Sequence, residues 1–110
     1  SDCEWMYLEN SLGMTTAEQQ LTGSRDSGTV GSKLSTLTSG GTNSSGFTAL
    51  LAGFRNTNGS FGTRGTYGSW WSSSETSATY DYRFLHSSQV GVYRYSSNKA
   101  SGFSVRCLKD

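Results

Sequence analysis

Proline and isoleucine are absent from this chain, and histidine occurs once. Nine Leu, four Val and five Phe are a sparse apolar supply, which would read as disorder in a strongly charged chain. The formal net charge is only +1, from nine basic and eight acidic residues, so a folded domain is the better reading. Three Trp and six Tyr join the five Phe, and each aromatic can bury roughly 150–250 Å². An aromatic core is therefore expected. No apolar run of about 20 residues exists, which excludes a membrane-spanning helix, and with no signal-peptide pattern the chain reads as mature and soluble. The balanced charge gives no basic stripe for phosphates and excludes nucleic acid as a partner. Two Cys and one His, without Cys-x-x-Cys or His-x-x-x-His spacing, leave a structural zinc without a ligand set.

What is present is Ser, Thr and Gly, which favour polar turns and loops over long helices. A length of 110 residues fits one domain. Ser1 to Glu4 has the form of a capping box, and Trp5, Leu8 and Leu12 then recur at helical spacing up to Gly13. Thr15 to Glu18 repeats the signature and predicts a short helix over residues 16–22. Residues 23–45 read mostly as loop, with Lys33-Leu34 and Leu37 dipping into the core. Asn58-Gly59 between residues 52–55 and 60–61 predicts a β-hairpin. Residues 80–85, 90–95 and 103–108 predict strands of an antiparallel sheet, with Phe103, Val105 and Cys107 on one face.

Several runs carry a resemblance. Gly46-Phe47-Thr48-Ala49-Leu50 continues through Gly53-Phe54-Arg55-Asn56 to Trp70-Trp71-Ser72-Ser73-Ser74-Glu75, and Gly102-Phe103-Ser104-Val105-Arg106-Cys107-Leu108-Lys109-Asp110 closes the chain. In order and spacing these runs resemble the Fibrobacter succinogenes major paralogous domain, a secreted bacterial module. Cys3-Glu4-Trp5 followed by Leu8-Glu9-Asn10 is similar to that family's opening helix, without the Gly-Trp-His-Val-Pro segment before it. The resemblance implies an α+β, C-type-lectin-like fold: N-terminal helices, then a twisted antiparallel sheet with long Ser/Thr/Gly-rich loops. It covers residues 1–110 as a single domain, which the missing segment allows to be the C-terminal part of a longer protein. Cys3 and Cys107, near opposite ends, read as one buried disulfide, as lectins of that fold tie first helix to last strand; two reduced thiols are the alternative. Such a cross-link would contribute up to roughly 4.7 kcal/mol in the chain-entropy model.

Chemistry is thinly supported. His86 stands alone beside Ser87 and Ser88, and nucleophilic catalysis needs a base oriented by a third group. The formylglycine-generating enzymes, which share the wider fold, use paired active-site cysteines that this chain does not keep. Glu75 and Asp81 are the candidate carboxylate pair for a hydrolase, although Glu75 reads better as a buried group that fixes loop backbone. Calcium could be held by Asp26, Glu75 or Asp81, but the lectin Glu-Pro-Asn and Gln-Pro-Asp loops need the proline this chain lacks. No cofactor is therefore expected. Asn43-Ser44-Ser45 and Asn58-Gly59-Ser60 match glycosylation sequons and read as turns.

Recognition is better supplied. Tyr67, Trp70, Trp71, Tyr80, Tyr82, Tyr93 and Tyr95 offer large contact area at low entropy cost, with Arg83 and Arg94 beside them. Alternation along a strand puts one of Trp70 and Trp71 in the core and the other nearer the surface. Arg83 and Arg94 also read as cross-strand or cation-π partners that need no ligand. The expectation is an extracellular or cell-surface, non-catalytic binding or adhesion module for a glycan or protein. The alternative is a subunit that self-associates into a surface fibre or sheath, and a hydrolase ranks third.

Overall fold

Residues 1–109 are described by a computed structural model. Its first element follows the capping box: Ser1 Oγ accepts from the Glu4 amide, the Glu4 carboxylate reaches back to the Ser1 amine, and α1 (Asp2–Ser11) begins. Gly13, at φ +112°, turns the chain out of that helix. The second signature is half used. Thr15 Oγ1 accepts from the Glu18 amide to open α2 (Thr16–Gln19), but the Glu18 carboxylate turns to the amides of Asp26 and Ser27.

The segment read as loop holds more structure than its composition implies. It contains β1 (Gly23–Arg25), a 3₁₀ turn over Ser27–Thr29, α3 (Val30–Leu34) and a second 3₁₀ turn over Leu37–Ser39. Leu34 enters the core as expected, whereas Leu37 is 76% exposed because the chain buries its neighbour Thr36 instead. Lys33 is half-buried and its Nζ donates to the Leu12 carbonyl, tying α3 to the end of α1. At Gly31 an added Cβ would lie 2.1 Å from the Gly91 carbonyl oxygen, so α3 packs backbone against backbone there.

The Asn-Gly hairpin forms as β2 (Phe54–Arg55) and β3 (Phe61–Gly62), with Gly59 at φ +89°. Next come β4 (Tyr67–Thr76), β5 (Thr79–His86) and β6 (Val92–Asn98). These three and β1 make one antiparallel sheet in the order β1-β6-β5-β4. Between Trp71 and Glu75 the β4 register shifts, and the bulged serines bond elsewhere: Ser72 Oγ accepts from the Ser74 amide, while Ser74 Oγ accepts from the Asp2 amide at the start of α1.

That bulge also explains a correction. Residues 103–108 do not form the expected strand; they join the sheet at a single parallel bridge, Ser104 to Trp70, beyond which β4 offers no regular edge. Cys107 is consequently exposed, not buried. Cys3 is exposed too, because Asp2 and Glu9 take the inward side of α1. Both thiols are free, and the Cys3–Cys107 disulfide is not formed.

The core is corrected as well. Met14, Val30, Leu34, Leu51, Leu85 and Val92 close around Trp70, and the other aromatics lie at most partly buried. Beside this apolar cluster sits a charged one. Glu9 receives a two-pronged bond from Arg25 at 2.8 and 2.7 Å and a third bond from Arg83 Nε at 2.6 Å. Asp2 receives Arg83 Nη1 at 2.6 Å and Arg94 Nη2 at 2.7 Å. Glu9 and Arg25 are fully buried, and among the described residues every side-chain nitrogen or oxygen that is wholly enclosed has a partner.

Burial by itself would push the Asp2 carboxyl up; the bonds from Arg94 and Arg83, with their positive charge, outweigh it and hold the group below its ordinary value. A depressed folded-state value contributes stability that is complete above the unfolded value, near 3.8, and is lost as pH falls through the folded one. Melting temperature should therefore drop on acidification below about pH 4. Asp2→Asn, less stable throughout, should show a flatter profile there; an unchanged acid slope would remove Asp2 from the account.

Candidate functional site

Two-residue alternation sorts the sheet into unlike faces. The inner face carries Trp70 from β4, Arg83 and Leu85 from β5, and Val92 and Arg94 from β6. The outer face carries Tyr67, Ser69 and Trp71 from β4, Tyr80, Tyr82, Phe84 and His86 from β5, and Tyr93 and Tyr95 from β6. Register sets the rings in rows, with Trp71 opposite Tyr82, Tyr82 opposite Tyr95, and Phe84 opposite Tyr93.

The outer rings pack on one another. Phe84 and Tyr93 stack with centroids 4.2 Å apart and planes 10° from parallel. Tyr67 meets His86 edge-on at 4.6 Å and Phe84 at 5.6 Å. Phe103, brought over this face by the Ser104 bridge, lies 4.2 Å from Trp71 and 4.6 Å from Tyr82. Burial raises the Tyr82 phenol above its ordinary value, with Tyr95 adding to the shift.

A cleft of about 370 Å³ opens between this face, the β2–β3 hairpin and residues 101–103. Tyr67, Tyr82, Phe84, Phe54 and Phe103 are its walls, and Asn56, Thr63, Ser69, Ser97 and Ser101 supply its polar groups. None of the described residues lining it is charged.

The recognition candidates thus divide by parity. Tyr67, Trp71, Tyr80, Tyr82, Tyr93 and Tyr95 share the outer face; Trp70, Arg83 and Arg94 point the other way. Arg83 is 1% exposed and committed to Glu9 and Asp2, and Trp70 is packed against Phe47, so neither is presented to a ligand. Arg94 is half-buried on Asp2 and the Gln20 carbonyl. Phe84, Phe54, Phe103 and Ser69 were missed as site residues. For Phe84 and Ser69 the signal was available: each lies two residues from a ring already singled out.

The remaining chemistry candidates stay apart. Glu75 is exposed and takes Lys99 Nζ at 2.6 Å; it is not a buried backbone clamp, because the bulge serines do that work. Lys99 and Tyr80 hold its carboxyl below the ordinary range. Asp81 accepts from Ser96 Oγ and Asp26 from Ser24 Oγ, and among the described residues no three His, Cys, Asp or Glu group to hold a metal ion. His86 Nδ1 faces Ser88, whose amide donates to it at 3.0 Å. None of the described helices is long and apolar enough to cross a membrane.

A small α+β module with its charge turned inward and its aromatic rings turned outward is the class these features define. The pattern of the Fibrobacter succinogenes major domain matches residues 1–109, and the chain belongs to that family. No curated protein and no solved structure matches it.

Proposed function

We propose that this chain is a non-catalytic, extracellular or cell-surface binding module with a C-type-lectin-like fold, which takes a glycan or protein ligand on the outer sheet face. The observation that carries this is the cleft walled by half-buried rings, in a domain whose core, Trp70 apart, is aliphatic and ionic. Half-buried aromatics with an apolar body and polar tips suit recognition. A binding role, not catalysis, is favoured because Glu75 is paired with Lys99 and held ionised, the wrong state for a general acid. His86 Nδ1 is likewise engaged by a backbone donor with no orienting carboxylate. The extracellular placement is the one the resemblance to secreted bacterial modules implies.

A second reading, self-association of copies into a surface fibre, is favoured by a larger groove of about 760 Å³ between α1 and the C-terminal segment. It is lined by Trp5, Leu8 and the exposed Tyr7, Val105 and Leu108. Light scattering with electron microscopy separates the two. The binding reading expects dispersed monomers that retain signal on glycan or protein arrays and lose it in Tyr67→Ala/Tyr82→Ala. Ordered filaments without array binding would replace it with the second.

A further inference from the structure

Ser69 is 4% exposed, lies at the floor of the outer cleft opposite Phe84, and its hydroxyl makes no hydrogen bond within the described chain. Among the described residues no wholly enclosed side-chain oxygen is left without a partner, so the Ser69 oxygen keeps some exposure, and Ser69 lines the cleft. Most hydroxyls near it are at least partly committed: Thr63 Oγ1 donates to the Gly62 carbonyl, and Ser97 and Ser101 face each other at 3.4 Å. A buried hydroxyl held ready above a ring-walled, uncharged hollow selects the chemistry of what enters.

We infer that the cleft is a subsite for a neutral saccharide segment, with Ser69 as the hydrogen-bonding floor and Tyr82, Phe84 and Phe103 as stacking walls; this rests on the binding reading above. A sugar ring presents C–H faces for the rings and hydroxyl edges for Ser69, Asn56 and Thr63, matching both parts of the lining. An anionic sugar would bring its charge into a hollow without a counter-charge, which is disfavoured. An apolar ligand would strand the Ser69 hydroxyl. At about 370 Å³ the volume lies at the small end of ligand sites, suited to a short segment of chain.

The test is titration of the protein with neutral oligosaccharides of gluco, manno, galacto and xylo configuration, with galacturonate and sulfated oligosaccharides and a protein array alongside. Ring-proton NMR shifts and affinity are read together. At least one neutral sugar should bind, shift Tyr67, Tyr82, Phe84 and Phe103, and weaken about tenfold in Ser69→Ala at unchanged melting temperature, the worth of one neutral hydrogen bond. Binding confined to acidic sugars or proteins would overturn the subsite while leaving the module a binder. So would neutral-sugar binding that spares these rings or is indifferent to Ser69→Ala. Silence on every glycan and protein would remove the binding reading itself.

Discussion

Glu9→Ala should lower the unfolding free energy by about 3–5 kcal/mol, because it leaves two buried guanidinium groups with too few acceptors. Arg25 and Arg83 together give Glu9 four contacts, and a guanidinium carries five donors and no acceptor. Such a loss is a large share of the roughly 5–15 kcal/mol that holds a domain together. Urea denaturation followed by tryptophan fluorescence checks it. The exposed Lys99–Glu75 pair supplies the contrast: Lys99→Ala should leave stability almost unchanged, since solvent screens the pair. Replacing Glu9, Arg25 and Arg83 together by apolar residues of similar volume should recover much of the deficit, since the attraction in such a cluster mainly repays its own desolvation. Near-normal stability of Glu9→Ala alone would show that water reaches the cluster.

Trp70→Ala should cost about 3–5 kcal/mol as well, through lost burial and the cavity left behind. Its ring is 6% exposed and packs edge-on against Phe47 at 6.2 Å, in the centre of the aliphatic core. Trp71→Ala tests the opposite face. Its neighbours are Phe103, Tyr82 and Tyr80 on the half-open outer side, so the stability loss should be smaller. Melting curves of the two variants check the assignment, and a reversed order would mean that the faces of β4 are exchanged.

The starts of α1 and α2 were legible because capping is local chemistry: Ser1 with Glu4, and Thr15 with Glu18, lie within four residues of each other; α3 starts after Thr29 without a side-chain cap and left no such signal. The β5 and β6 strands were legible from alternation and aromatic density. Alternation also separates Tyr82 from Arg83 and Tyr93 from Arg94. It cannot decide which set turns inward. Apolar preference alone would bury the rings; the structure buries the arginines, because Asp2 and Glu9 stand two turns apart on one side of α1 and meet them. Gly-Ser-Arg in β1 carries no strand signal, and pairing with β6 together with the Arg25–Glu9 bond defines it. Residues 103–108 show the converse failure: a good strand pattern whose partner edge is lost to a three-serine bulge. The cleft inherits both limits, its Tyr rows readable from sequence and its Phe54 and Phe103 walls set by chain path alone.

The ionic cluster also imposes an order of events on a growing chain. Its bonds join Glu9 to Arg83, Asp2 to Arg83 and Asp2 to Arg94 across 74, 81 and 92 residues. Glu9 can meet Arg25 early, 16 residues on, but Asp2 in α1 has no arginine of the cluster until the last two strands have been made. Contacts this distant along the chain slow folding, and a nascent or nicked chain lacking residue 83 onward has no arginines in β5 and β6 against which to seat α1.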